Sequence, residues 1–431
     1  MTVATVSRLD LPHPVPIRCR PVAPPVQPAP APFSPATLGP LTLRNRIIKA
    51  ATFEGMTPQR LVTDDLIRFH RRVAAGGVGM CTVAYCAVSP EGGTDGRQIV
   101  LRDEAVPGLR RLTDAIHAEG AAAAAQLGHA GPVANPVGTS LPSLAPSRIF
   151  SPLRMRFTRA VTADDIARIT ADFARGARVA VAGGFDALEI HLGHNYLLSA
   201  FLSPKLNTRT DRWGGALENR ARFPRQVVRA VRDAVGAGVA VTAKLNMADG
   251  VPGGFWLDES LAFARLLEAD GALDALELTG GSSLANPMYL FRGEAPIAEM
   301  AAVMPPAVRL MFRLVARRMM PEYPFAEAFF LPYARQFRAS LRLPLILLGG
   351  INRLDTIAHA LDEGFAFVAM ARALLREPDL IARMQAGATR ESLCVHCNKC
   401  MPTIYSGTRC VLVSGGTRDQ IPSLPRSTPD A

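Results

Sequence analysis

No stretch of this sequence approaches about 18 uninterrupted apolar residues, so no membrane-spanning helix is expected. Aromatic residues are scarce, at 6% of the chain, and no zinc-finger or other nucleic-acid signature is present. The net charge of +11 is therefore assigned to small anionic ligands rather than to nucleic acid. No Gly-x-Gly-x-x-Gly follows an early strand, which argues against a doubly wound dinucleotide fold. No repeat recurs at a short fixed period. Seven cysteines occur without a segment resembling a secretory signal, so a reducing cytoplasm is expected rather than a disulfide framework.

The apolar fraction of 48% is ample for a large core, and 20% charged residues argue against wholesale disorder. Residues 1–32 hold nine prolines, which block helix and ladder alike and predict an extended, disordered tail. From Phe33 onward, strand-like and helix-like patterns alternate. Strands are expected near 46–53, 78–88, 121–129, 185–194, 239–246, 275–280, 344–350 and 366–370. Helical runs such as 64–75, 103–119, 163–182, 220–235, 258–269 and 353–363 separate them. Eight strands with helices between them predict an α/β chain folded as a (β/α)8 barrel over 33–390. An insertion at 282–330 follows the sixth strand, and a cysteine-rich extension covers 391–431.

The chemistry concentrates after the fourth strand. His191, His194 and Tyr196 follow an apolar run, at the strand end where α/β barrels keep their catalytic groups. Gly193 would let the backbone turn so that both imidazoles converge. Two neutral imidazole N–H groups can polarise a carbonyl, and a phenol with an ordinary pKa of roughly 10 can donate a proton. The same residues also fit a pair of satisfied structural histidines. Glu189 with His191 and His194 also fits a two-histidine, one-carboxylate metal triad, as in a metal-dependent barrel lyase.

The run H-x-x-H-x-Y-L-L…F-L-S-P…N-x-R-T-D-x-W-G-G-x-L-E-N-R-x-R-F, over 191–223, resembles the old yellow enzyme family of FMN-dependent ene-reductases. The resemblance covers about Phe33 to Asp379. It implies bound FMN, NAD(P)H as reductant in a ping-pong cycle, and a small α,β-unsaturated carbonyl substrate. His191 and His194 would bind the carbonyl, while Tyr196 protonates Cα after hydride transfer. Residues 207–223 would shape a loop and start the next helix. Gln126 would pair with the flavin pyrimidine edge. Lys244, a cation in an apolar strand, would find its anionic partner in reduced flavin where many relatives carry arginine. Gly349 and Gly350, with Ala371 and Arg372, would hold the phosphate, though relatives usually have glycine at 371. Ala50 and Ala51 would let the ring lie close to the backbone, with Thr52 or Phe53 in the register that tunes it. A dehydrogenase or demethylase running in the oxidative sense would use the same barrel, and a membrane-associated binding protein could keep it without activity.

Two features fall outside that reading. Cys394, Cys397, Cys400 and Cys410 give C-x2-C-x2-C-x9-C, whose first part matches a bacterial ferredoxin run. Larger relatives similar to dienoyl-CoA reductase carry a [4Fe–4S] cluster after the barrel, with wider final spacing. Four-thiolate zinc or four reduced thiols are the other readings. In the insertion, Arg309, Arg313 and Arg317 recur every four residues beside Met311, Phe312, Leu314, Val315 and Met319. A lid whose apolar side covers the barrel mouth is expected, with a membrane-surface helix as the alternative. Nothing in the sequence sets the oligomeric state.

Overall fold

A computed structural model of the chain describes residues 31–134, 142–151, 156–304 and 306–413. The expected disordered tail, up to residue 30, and the extension from residue 414 lie outside these residues. Eight parallel strands close into a barrel in chain order: β1 (Ile47–Lys49), β2 (Met80–Ala87), β3 (Ala122–Gly128), β4 (Ala187–Leu192), β5 (Ala240–Asn246), β6 (Ala275–Thr279), β7 (Leu345–Leu348) and β8 (Phe367–Met370). Outside them lie α1 (Asp64–Ala75), α2 (Val106–His117), α3 (Ala163–Ala182), α4 (Leu217–Val235), α5 (Leu257–Asp270), α6 (Leu331–Ser340) and α7 (Leu354–Asp362). The (β/α)8 architecture is the one that the alternating sequence pattern implies.

Local chemistry sets the helix starts. Thr63 caps α1 by accepting from Leu66 N, and Thr162 with Asp165 forms a reciprocal capping box on α3. In α3, Ile166, Ile169, Phe173, Ala177 and Ala180 recur at helical spacing and bury one face. Each of the large side chains among them stabilises the fold by roughly 1.5–3 kcal/mol.

A hairpin that the alternation did not reveal, Ala36–Leu38 paired with Leu41–Leu43, precedes β1. Its buried Ala36, Leu38 and Leu43 pack into one cluster with Ala187, Ala240 and Ala275, which begin β4, β5 and β6. Ile48, Met80, Ile346 and Phe367 complete that layer. Strands β4, β5 and β6, and β3 through Ala124, offer alanine where their neighbours offer bulk, which leaves room for the hairpin's leucines. The hairpin thus floors the barrel at the end opposite the catalytic face.

The insertion carries three helices, Pro287–Phe291, Ile297–Ala302 and Pro306–Met319. They hold a small core of their own, built on Met288, Ala301, Phe312, Ala316 and Met320. Here the lid expectation needs correction. Phe312 and Ala316 face inward, but Leu310, Met311, Leu314, Val315 and Met319 are exposed. The apolar side of that helix therefore does not cover the barrel mouth. Among the described residues, no helix is long and apolar enough to cross a membrane.

The cysteine-bearing extension docks on this insertion. Asn398 Nδ2 donates to the carbonyls of Arg292 (3.0 Å) and Glu294 (2.9 Å), and Lys399 pairs with Glu299 at 3.0 Å. Thr408 ties it to the loop after β1, its hydroxyl donating to Phe53 O at 2.6 Å.

Candidate active site

His191 is the penultimate residue of β4, and His194 and Tyr196 follow where the chain leaves the barrel. The turn is made differently from the sequence expectation. His194 and Asn195 both take left-handed φ of 60°, an uncommon conformation that non-glycine residues adopt at some cost. Gly193 instead permits close approach, because a Cβ there would sit 3.1 Å from both Asn246 Oδ1 and Thr279 Cγ2. The strained turn is held by Asn246 Oδ1, which accepts from His194 N at 3.0 Å, and by Ser283 N, which donates to His194 O at 3.1 Å.

The result is a compact aromatic group. Tyr196 stacks on His191, with ring centroids 4.4 Å apart and planes 16° from parallel. Tyr85 lies 5.3 Å from Tyr196, its hydroxyl donating to Gly92 O at 2.6 Å. The hydrogen bonds assign the imidazole protons. Gly193 N donates to His191 Nδ1 at 3.3 Å, so neutral His191 carries its proton on Nε2. That N–H faces His194 Nδ1 at 3.3 Å, which leaves the His194 proton on Nε2, directed at Thr279 Oγ1 at 3.0 Å. Donation runs in one direction, from backbone to His191 to His194 to Thr279. Neutrality is enforced: burial, then His194 and Lys244, hold His191 well below the usual histidine pKa. Burial and Lys244 lower His194 to about 3. Burial, reinforced by Asp95, pushes the Tyr196 phenol above its ordinary value, so it stays protonated.

Beneath this group runs a polar ladder inside the barrel. Gln126 Nε2 donates to Glu189 Oε1 at 2.6 Å, and Lys244 Nζ lies 3.1 Å from Glu189 Oε1 and 2.7 Å from Glu277 Oε1. Lys244 therefore already has two carboxylates as partners. Burial works against its charge, but Glu189 and Glu277 outweigh that and raise its pKa. Burial, with the Glu189 charge behind it, lifts Glu277 to about 8. Neither ion pair has good hydrogen-bond angles, so Lys244 Nζ is a buried donor without a hydrogen bond. Glu189 is thus committed to the ladder. Among the described residues no three His, Cys, Asp or Glu side chains form a metal-holding group, so the Glu189–His191–His194 triad does not form.

The remaining candidates surround the same strand ends. Ala50 is buried, its N–H donating to Met370 O at 2.8 Å, and Ala51 packs beside Tyr85 and Tyr196. Thr52 is half-buried, while Phe53 bridges to Ala84 of β2. Gly349 and Gly350 take φ of 109° and 74°, and a Cβ on them would meet Phe330 and Phe329 at 2.5 and 2.7 Å. Ala371 adopts a negative φ of −121°, so alanine is accommodated there. Arg372 turns toward the extension, donating to Arg292 O at 3.1 Å and to Asn398 Oδ1.

Cys394, Cys397, Cys400 and Cys410 line one cavity with Arg372 and Arg376. Burial pushes the Cys400 thiol up to about 11, against the pull of Arg372. All four are free thiols, and no ligand-forming group of three or more is present among the described residues. Of the three readings of these cysteines, the [4Fe–4S] and zinc sites are therefore not supported by this arrangement.

Three residues escaped the sequence reading: Tyr85, Asn246 and Thr279. The last two end β5 and β6, so the strand-end rule that selected His191 would have found them.

Residues 32–273 match the NADH:flavin oxidoreductase / NADH oxidase family. The chain belongs to this family. Among relatives of the NADH:flavin oxidoreductases, a 4,4'-dithiodibutanoate disulfide reductase from Rhodococcus erythropolis is 61% identical over 89% of this chain and 96% of its own. A metal reductase from Desulforamulus reducens is 35% identical over 86% of this chain, which spans only 52% of that protein. A solved morphinone reductase shares the fold with a TM-score of 0.65 at 24% identity, covering 85% of this chain and 94% of its own. A solved 2-naphthoyl-CoA reductase does so at 0.71 and 24%, covering 83% and 52%.

Proposed function

We propose that the chain is an FMN-dependent reductase that takes hydride from NAD(P)H and delivers it to the C=C bond of a small α,β-unsaturated carbonyl compound. Tyr196 carries this reading: a phenol kept protonated by burial and stacked on a neutral imidazole. Bound FMN supplies hydride acceptance and hydride donation. The chain's residues fit it. Lys244 has a buried N–H without a hydrogen bond to offer, and Gln126 an amide beside it. Ala50, Ala51, Thr52 and Phe53 would wall the ring, and Gly349, Gly350 and Ala371 would hold the phosphate, toward which Arg372 would turn from its present partners, Arg292 O and Asn398 Oδ1. A substrate oxygen would take the His191 Nε2–H in place of His194 Nδ1, and His194 would donate as well only after shifting its proton from the Thr279 side to Nδ1. Tyr196 then gives its proton to Cα.

A disulfide is the second acceptor reading, favoured by the 61% identity over nearly the whole length of the dithiodibutanoate reductase. The two differ in their need for acid. Hydride on one sulfur expels the other as a thiolate with an ordinary pKa of about 8.5, which leaves without help from a phenol more basic than itself. A carbanion needs the proton.

Tyr196→Phe therefore separates them. Stopped-flow reduction of the enzyme's flavin by NADPH should be unchanged, while reoxidation by 2-cyclohexenone slows by about 100-fold or more. Reoxidation by 4,4'-dithiodibutanoate should change little. Equal slowing of both half-reactions with the enone would remove Tyr196 as the proton donor.

A further inference from the structure

The helix Pro306–Met319 presents a face that nothing among the described residues covers. Leu314 is 77% exposed, Leu310 68% and Met311 66%, with Val315 and Met319 beside them. At helical spacing they share the outer half of the helix, with Arg318 among them. The opposite face is fully engaged: Phe312, Ala316 and Met320 pack on Met288 and Ala301. The helix is therefore anchored, and its exposed side is not a core face left loose. An exposed face this rich in large apolar side chains marks an interaction surface.

Charge decides what it meets. Arg313, Arg317 and Arg318 are exposed on the same helix, and the segment from Pro306 to Met319 contains no acidic residue. Arg309 is folded back, donating to Ala302 O at 3.2 Å and Met304 O at 3.3 Å. The nearest carboxylates on either side are occupied, Glu299 by Lys399 and Glu322 by the Ala295 N–H. A second copy of the helix would set like charges against each other, which disfavours self-pairing through this face. An exposed apolar face flanked by Arg313 and Arg317, with Arg318 rising from within it, suits the interface of an anionic bilayer, where leucine and methionine enter the acyl boundary and the long arginine stems carry their guanidiniums up to the headgroups.

We propose that this helix binds the chain peripherally to anionic lipid membranes. The helix belongs to the insertion after β6, whose first residues contact the site: Ser282 bridges to His194.

The test is co-sedimentation of the full chain with vesicles of equal parts phosphatidylglycerol and phosphatidylcholine, against pure phosphatidylcholine vesicles. The protein should pellet with the former, remain in solution with the latter, and be released by salt. Replacing Arg313, Arg317 and Arg318 by Gln should weaken binding on the order of 100-fold, at about 1 kcal/mol per arginine. Leu314→Ser should weaken it about tenfold. These side chains are exposed, so unchanged thermal melts establish that the variants are folded. Failure of the wild-type chain to pellet with anionic vesicles overturns the proposal, as does binding that both variants leave intact. A wild-type dimer in gel filtration that Leu314→Ser dissociates would also overturn it, assigning the face to a second copy.

Discussion

Glu277 shows how one side chain couples the site's charge to the stability of the barrel. Its folded pKa, raised by burial and by Glu189 to about 8, lies above the ordinary value of about 4.3. The protonated acid is therefore favoured by folding. The stability it contributes is complete below pH about 4 and is lost as pH rises through about 8. Buried neutral His191 and His194 act in the opposite sense as pH falls. The Glu277 contribution is therefore read as a difference: the wild-type melting temperature should fall relative to that of Glu277→Gln, which cannot ionise, as pH rises from about 4 to about 8. Parallel curves for the two proteins would place the pH dependence elsewhere. Residue roles of this kind were only partly legible in the sequence. Lys244 stood out as a cation within an apolar strand, yet its partners could not be read, because Glu189 and Glu277 meet it only through the cross-strand register of the closed barrel. The direction of hydrogen bonding between His191 and His194 was equally hidden, since it hangs on a backbone N–H at Gly193.

At the scale of elements, periodicity located all eight barrel strands because parallel strands buried on both faces read as continuous apolar runs. It missed the hairpin 36–43, whose two strands are three residues each and too short to show alternation. That hairpin is nonetheless tightly packed, with Leu38 and Leu43 almost fully buried. Leu38→Ala should cost about 2–5 kcal/mol, measured by chemical denaturation, because the surrounding alanines have no bulk with which to fill the void. A cost below about 1 kcal/mol would show that the floor collapses around the gap. The insertion helix misled the sequence reading for a different reason. Its arginines and apolar residues share almost every turn, so spacing alone could not say which side would be buried. Phe312 and Ala316 decide it by meeting Met288, a contact between segments more than twenty residues apart.

Across the whole molecule, the cysteine-bearing extension, the insertion and the loop after β1 are bound into one structure. Asn398 is the joint: it takes the left-handed φ of 55°, donates to two carbonyls of the insertion and accepts from Arg372. Asn398→Ala removes three hydrogen bonds to a buried side chain, and should destabilise the extension by roughly 1–3 kcal/mol. Limited proteolysis should then cut after residue 390 in the variant while the barrel survives. Equal resistance of variant and wild type would show that Lys399 and Thr408 suffice. The spacing of the four cysteines was plain in the sequence. Their failure to assemble as ligands was not, since it depends on how this extension folds back on the barrel.

The hairpin beneath the strands has a consequence for traffic. The barrel interior is filled by its own side chains, and only the strand ends of one face stay open to a visitor. Any small molecule that is to meet His191, His194 or Tyr196 must therefore arrive at the upper rim, because the hairpin closes the lower one.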